Sequence, residues 1–327
     1  MKRRERIRRR VGAVVARHLF NAIPRVASLH PVRRYPEKYG FEVFSDLEYR
    51  SGGDPSHRLD VTRWAADHRP SYADKPVLQP IVFYIHGGGF HILSKDTHAM
   101  VGFRHAKRRH VVFNVNYRLA PKHHFPAALE DVCDAWCWIL DNAESYGGDP
   151  RRIVVGGESA GANLATALTI ATTWRRPEPW AQRVFDRGVV PRAVVAAYGI
   201  LQVDDTDRFH RERPLPWIVR DRIEAVGKGY LPPHLNPADH PLASPIVFLE
   251  SEGEPDRPLP PFFAPAGTAD PIVSDTRRLE AVLQKRGVPC RARYYPGETH
   301  GFHGMLWRTA AHDCWREMLD FIDHRVR

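Results

Sequence analysis

Cysteine is scarce in this sequence: Cys133, Cys137, Cys290 and Cys314 are the four in a chain of 327 residues. None forms a Cys-x-x-Cys pair and no Cys/His cluster has zinc spacing, which argues against a zinc module and a disulfide framework. Reduced, structural thiols are expected, and Cys133 and Cys137, one helical turn apart, read as small core residues. Long apolar runs are missing too, since nothing approaches the ~20 residues that a membrane span requires. No Gly-x-Gly-x-x-Gly loop offers a dinucleotide site, and no internal repeat is present. Neither a metal nor an organic cofactor is expected.

Acidic charge is in short supply only at one end. The net charge is +10, and residues 1–10 hold seven of the 48 basic residues against one of the 38 acidic ones, so six of the ten charges sit there. The rest has the balance of an ordinary globular protein. No mixing of basic and aromatic residues marks a nucleic-acid surface, and no such partner is expected. After the basic start, Arg17 and His18 break the run Val11-Gly12-Ala13-Val14-Val15-Ala16 too early for a signal-peptide core. On a helix, Ile7, Val11, Val14, Val15, Leu19 and Ile23 share one face and arginines the other. Two readings stay open: a helix docked on the protein body, or peripheral contact of residues 1–25 with an anionic membrane. The expected location is cytoplasmic in the first case and membrane-peripheral in the second.

What the sequence does contain is a regular alternation. Residues 41–49 and 58–64 read as strands joined by the turn-rich Ser51-Gly52-Gly53-Asp54-Pro55. Short apolar or alternating runs follow at 81–85, 111–115, 153–155, 194–198, 261–266 and 291–295. Helical patterns separate most of them, at 97–109, 127–142, 160–174 and 274–286, and a last one covers 303–323. Strands alternating with helices predict an α/β fold, its mostly parallel sheet flanked by helices on both faces. Residues 202–241 break the alternation, being polar and proline-rich with one helical stretch at 217–227. Inserted after a strand, they are expected to lie over the C-terminal strand ends, where such sheets bind ligands. The predicted organisation is a catalytic body, residues 41–327, with a cap made from 202–241 and the basic helical segment 1–40.

The chemistry concentrates in a few motifs. Gly157-Glu158-Ser159-Ala160-Gly161 follows the strand pattern Ile153-Val154-Val155 and precedes a helix. The pentapeptide alone is weak, and a serine there could simply cap the helix. Between strand and helix it predicts a sharp turn that holds a serine hydroxyl above the sheet. His86-Gly87-Gly88-Gly89-Phe90 directly follows another buried strand. Its glycines let backbone N–H groups approach a ligand oxygen, so Gly88, Gly89 and Ala160 are candidate oxyanion donors. Serine needs a base, and the base needs an orienting group. Among 18 histidines, His300 follows a strand and a turn; His303 is its nearest rival but falls in the last helical pattern. Asp270 ends the strand-to-turn stretch 261–267, whereas Asp275 reads as part of the next helix. Ser159, Asp270 and His300 then stand in the order this architecture requires.

These motifs resemble those of the hormone-sensitive-lipase-like carboxylesterases, an α/β-hydrolase family, over roughly residues 78–325. The resemblance rests on His86–Phe90, Asn116-Tyr117-Arg118-Leu119-Ala120-Pro121, Phe125-Pro126-Ala127-Ala128-Leu129-Glu130-Asp131, Gly157–Gly161, Gly267-Thr268-Ala269-Asp270-Pro271 and His300-Gly301-Phe302. It implies a cap from the N-terminal segment and the insertion after the sixth strand, and esters of short or medium acyl chains as substrates. Two positions depart from the pattern: Glu158 stands where Asp is frequent, and Lys122 where Glu is.

The reaction expected is ester hydrolysis through an acyl-enzyme. Phe90, His91, Tyr198, Leu201 and Trp217 are candidate pocket walls, each equally readable as a structural residue. An amidase, arylformamidase or lactonase would use the same triad, and matched ester and amide substrates separate these activities. A non-catalytic receptor on the same fold is the other class; a fluorophosphonate that labels Ser159 argues against it.

Overall fold

The computed structural model describes residues 30–65, 77–234, 236 and 239–326. Residues 1–25, with both readings of the basic helix, lie outside the described residues.

The strands are β1 (Phe41–Glu48), β2 (Arg58–Trp64), β3 (Gln79–Ile85), β4 (Val111–Val115), β5 (Gly148–Glu158), β6 (Ala193–Ala197), β7 (Phe262–Gly267) and β8 (Cys290–Tyr295). They form one sheet in the order β1-β2-β4-β3-β5-β6-β7-β8. The pairs β1/β2 and β2/β4 are antiparallel. Every other pair is parallel. The expected mostly parallel sheet is therefore present.

Burial explains why β3 lies inside. Ile81, Phe83 and Ile85 face one apolar core, together with Trp136, Leu168 and Leu279. Val82 and Tyr84 face the other, with Trp315, Met318 and Phe321. A strand apolar and buried at five successive positions, 81–85, sits where helices cover both faces. The helices are α1 (Pro31–Arg34), α2 (Ala99–Ala106), α3 (Ala127–Asn142), α4 (Ala160–Thr173), α5 (Pro179–Asp186), α6 (Arg208–Glu212), α7 (Trp217–Tyr230), α8 (Pro245–Ser251), α9 (Val273–Lys285) and α10 (Thr309–Val326).

Three differences from expectation have local causes. Helix α10 begins at Thr309 rather than at 303, because a single 3-10 turn, Phe302–Gly304, intervenes. Helices α5 and α8 carry proline in their first turn, where its missing N–H costs nothing. Strand β5 starts five residues before its apolar run, because Gly148 and Asp149 already pair with Gln79 and Pro80 of β3, and Arg152 is tied to Asp149 and to the Leu78 carbonyl there.

The insertion after β6 contains α6 and α7. It is fastened to the body by Asp275 of α9, whose buried carboxylate accepts the N–H of Leu201 at 2.7 Å and of Gln202 at 3.1 Å. The same carboxylate pairs with the Arg208 guanidinium at 2.5 Å. At its far end α7 packs on the loop after β3, with Tyr230 stacked on Phe90 at 3.7 Å between ring centroids.

Candidate active site

The turn between β5 and α4 is set by its glycines. A Cβ on Gly161 would stand 2.0 Å from the Ile85 carbonyl oxygen, and one on Gly157 would stand 2.5 Å from the Gly161 backbone. No other residue fits at either place. Between them Ser159 adopts φ +56° and ψ −115°, a conformation that costs about 1–3 kcal/mol for a residue with a Cβ. The strain is held by hydrogen bonds on both sides: Ser159 N–H donates to the Ala197 carbonyl of β6, and Ile200 N–H donates to the Ser159 carbonyl.

The loops after β7 and β8 bring the other two groups to the serine. His300 Nε2 lies 2.9 Å from Ser159 Oγ, and His300 Nδ1 lies 2.9 Å from Asp270 Oδ2. Asp270 is fully buried, and its second oxygen accepts the Ile272 N–H at 2.9 Å, which fixes the carboxylate's direction. Desolvation pushes the His300 imidazole down. The Asp270 charge, its hydrogen bond and the more distant Glu158 charge outweigh this and hold its pKa above the ordinary value. Asp275, the other candidate acid, is engaged with Arg208 instead.

The loop after β3 starts against the Ser159 turn, since a Cβ on Gly161 would also stand 2.7 Å from the His86 carbonyl oxygen. Gly88 and Gly89 have φ of +104° and +59°. A Cβ on Gly88 would stand 2.1 Å from the Ile92 carbonyl oxygen, and one on Gly89 would stand 2.7 Å from Val226 of α7. Among the described residues, the N–H groups of Gly88, Gly89 and Ala160 donate to no protein acceptor. The Gly87 N–H is occupied, donating to Glu158.

The five proposed pocket residues are spread out. Phe90, Tyr198 and Leu201 are buried in the apolar cores, and the Tyr198 ring stands edge-on to His300 at 4.9 Å. The Tyr198 hydroxyl is bonded to His303, which lies in the 3-10 turn Phe302–Gly304 rather than inside the last helix. His91 lies against the Gly89 carbonyl and Gly229 of α7. Trp217, at the start of α7, is 53% exposed.

Sequence reasoning named Glu158, His86 and Tyr117 as motif members but missed His98 and the contacts that these groups make beneath this loop. Glu158 is in contact with Tyr84, Gly87 and His98, and the rings of His86 and Tyr117 are stacked 4.4 Å apart. No local signal could have found them, because His98 and Glu158 are 60 positions apart and meet only across the sheet. Among the described residues no group of three His, Cys, Asp or Glu side chains could hold a metal ion, and no helix is long and apolar enough to cross a membrane. The four cysteines are free.

Comparison with known proteins gives the family of the chain. A model of an α/β-hydrolase-fold family matches residues 82–304. Carboxylesterase NlhH of Mycobacterium tuberculosis is 32% identical over 296 residues, covering 89% of this chain and 82% of its own length. An acetyl esterase of Salmonella schwarzengrund is 28% identical, with 78% and 76% covered. Among solved structures, an esterase of Pyrobaculum calidifontis superposes with a TM-score of 0.72 at 27% identity, over 96% of this chain and 93% of that one. The chain is an α/β hydrolase. Within that class it belongs to the hormone-sensitive-lipase-like carboxylesterases, as its motifs imply.

Proposed function

We propose that this protein hydrolyses carboxylic esters by two-step acyl transfer, with Ser159 as nucleophile, His300 as general base and Asp270 as the group that orients it. The observation that carries this reading is the unbroken chain Ser159 Oγ, His300 Nε2, His300 Nδ1, Asp270 Oδ2, with both gaps at 2.9 Å. Ser159 attacks the ester carbonyl carbon while His300 takes its proton, and Asp270 stabilises the imidazolium that forms. The N–H groups of Gly88, Gly89 and Ala160 receive the carbonyl oxygen as it becomes negative. His300 then protonates the departing alcohol, and water attacks the acyl-enzyme by the same route in reverse.

The insertion 202–241 acts as a cap in this reading, joined by residues 1–40, over a catalytic body of residues 41–327. Val226 of the cap stands directly against Gly89, which restricts room beside the donors and favours short to medium acyl chains. Initial rates on p-nitrophenyl esters from acetate to palmitate test this. Rates that fall beyond medium chains, and vanish in Ser159→Ala, are expected; palmitate as the best substrate sinks the chain-length proposal. A matched amide turned over faster than its ester sinks the esterase reading.

Contact of residues 1–25 with an anionic membrane is a separate proposal, carried by the one-sided helical pattern of apolar residues and arginines. Binding to phosphatidylserine vesicles that disappears when residues 1–25 are deleted supports it. Binding that survives the deletion, or never occurs, ends it.

A further inference from the structure

We propose that Glu158 is a positioning residue that aims the oxyanion donors, with His98 as the counter-charge that fixes its carboxylate. The proposal rests on the reading of Gly88, Gly89 and Ala160 as the oxyanion hole.

The side chain of Glu158 runs back beneath the loop after β3, not towards solvent, and is almost wholly buried. A carboxylate in such a place must be fully bonded. Its Oε1 accepts the Gly87 N–H at 2.5 Å and lies 2.8 Å from His98 Nε2, while Oε2 accepts the Tyr84 hydroxyl. His98 Nδ1 faces two acceptors in turn, the Ser94 carbonyl at 3.1 Å and the Thr97 hydroxyl oxygen at 2.8 Å. The Thr97 proton is already given to the Ser94 carbonyl. Both ring nitrogens of His98 therefore donate, and the ring is an imidazolium paired with the carboxylate.

That pair bears on the donors through peptide planarity. A trans peptide points its C=O and N–H in opposite directions, so holding one end aims the other. The peptide joining His86 to Gly87 is held at both ends, its N–H by Glu158 and its C=O by the Tyr117 hydroxyl at 2.8 Å. In the next peptide the Gly87 carbonyl is held by His86 Nδ1 at 2.7 Å, which turns the Gly88 N–H the other way. In the third, the Gly88 carbonyl takes the N–H of His91 and Ile92, which turns the Gly89 N–H. Glu158 anchors the first plate of this series. It also explains Gly87, where a Cβ would stand 2.7 Å from the Glu158 carbonyl oxygen and 3.0 Å from Oε1.

A trifluoromethyl ketone, which adds to Ser159 and places an oxyanion in the same hole, reports donor geometry apart from turnover. Glu158→Ala is expected to lower kcat about 30-fold at little-changed KM, less than outright loss of a donor costs. The inhibitor is expected to weaken by the same factor, since both measure the tetrahedral oxyanion. Glu158→Gln keeps an acceptor for the Gly87 N–H and is expected to recover most of the loss. If Glu158→Ala does not fold, Tyr84→Phe carries the test, with a fall of about 3-fold in both quantities. Native kcat in the variant that folds, or a fall in kcat without a matching loss of inhibitor affinity, overturns the positioning role. Fluorophosphonate labelling of the native protein separates this from the reading beneath it. Label on Ser159 with native kcat in the Glu158 variant sinks the positioning role alone, whereas no label on the native protein sinks the triad.

Discussion

At the scale of single residues, the turn around Ser159 has no spare room. Gly161 stands so close to the Ile85 carbonyl that one methyl group there forces strand β3 and helix α4 apart. Gly161→Ala is expected to destabilise the fold by about 3 kcal/mol or more, the upper range of overpacking, read from urea unfolding midpoints. A cost below about 1 kcal/mol would show that the turn yields more easily than its contacts indicate. This local crowding is also why the motif could be read without a structure. A Gly-x-Ser-x-Gly between an apolar strand and a helix encodes its own geometry within five residues, and so do the three glycines at 87–89. Glu158 could not be read in that way. Its sequence position marks it as a neighbour of the nucleophile, but its partners Tyr84, Gly87 and His98 come from a different strand and its following loop.

At the scale of elements, the insertion owes its place to Asp275. Sequence position made that residue a lesser candidate for the triad acid, and the first turn of α9 was its alternative home. The structure gives it that home and a further task, because its carboxylate is fully buried against Arg208, Leu201 and Gln202. Asp275→Ala leaves the Arg208 guanidinium buried without its partner, a loss of about 3–5 kcal/mol for a broken buried pair. The expected results are a lower thermal midpoint, faster proteolytic cutting within residues 202–241 and a raised KM. Unchanged cutting there would mean that α7 is held mainly by its other end, where Tyr230 stacks on Phe90. The helix at 217–227 was legible from its pattern and extends to Tyr230. Helices α5 and α8 were not, since proline in the first turn looks like a loop when no neighbour is visible.

At the scale of the whole molecule, charges on separate strands and loops act on one imidazole. Desolvation lowers the His300 pKa, and Asp270 and Glu158 together raise it further than that, so the net shift is upward from 6.5. A protonated His300 cannot accept the Ser159 proton. The acid limb of kcat/KM is therefore expected to have its midpoint above 6.5, with activity lost as pH falls through it. Glu158→Gln removes one of the raising charges and is expected to move that midpoint to lower pH. A native midpoint below 6.5, or one that rises in the variant, contradicts the assignment. The overall architecture was legible because alternating strands and helices leave few topologies open. The far-apart charge pairs were not, since sequence carries no record of which carboxylate reaches which histidine. The close fit of Gly161 on Ile85 has a mechanical consequence as well. The turn around Ser159 and the start of the loop after β3 are wedged together, whereas His300 reaches the serine from the loop after β8. On heating, the contact between His300 and Ser159 should fail first, and the serine should keep its posture until the sheet itself gives way.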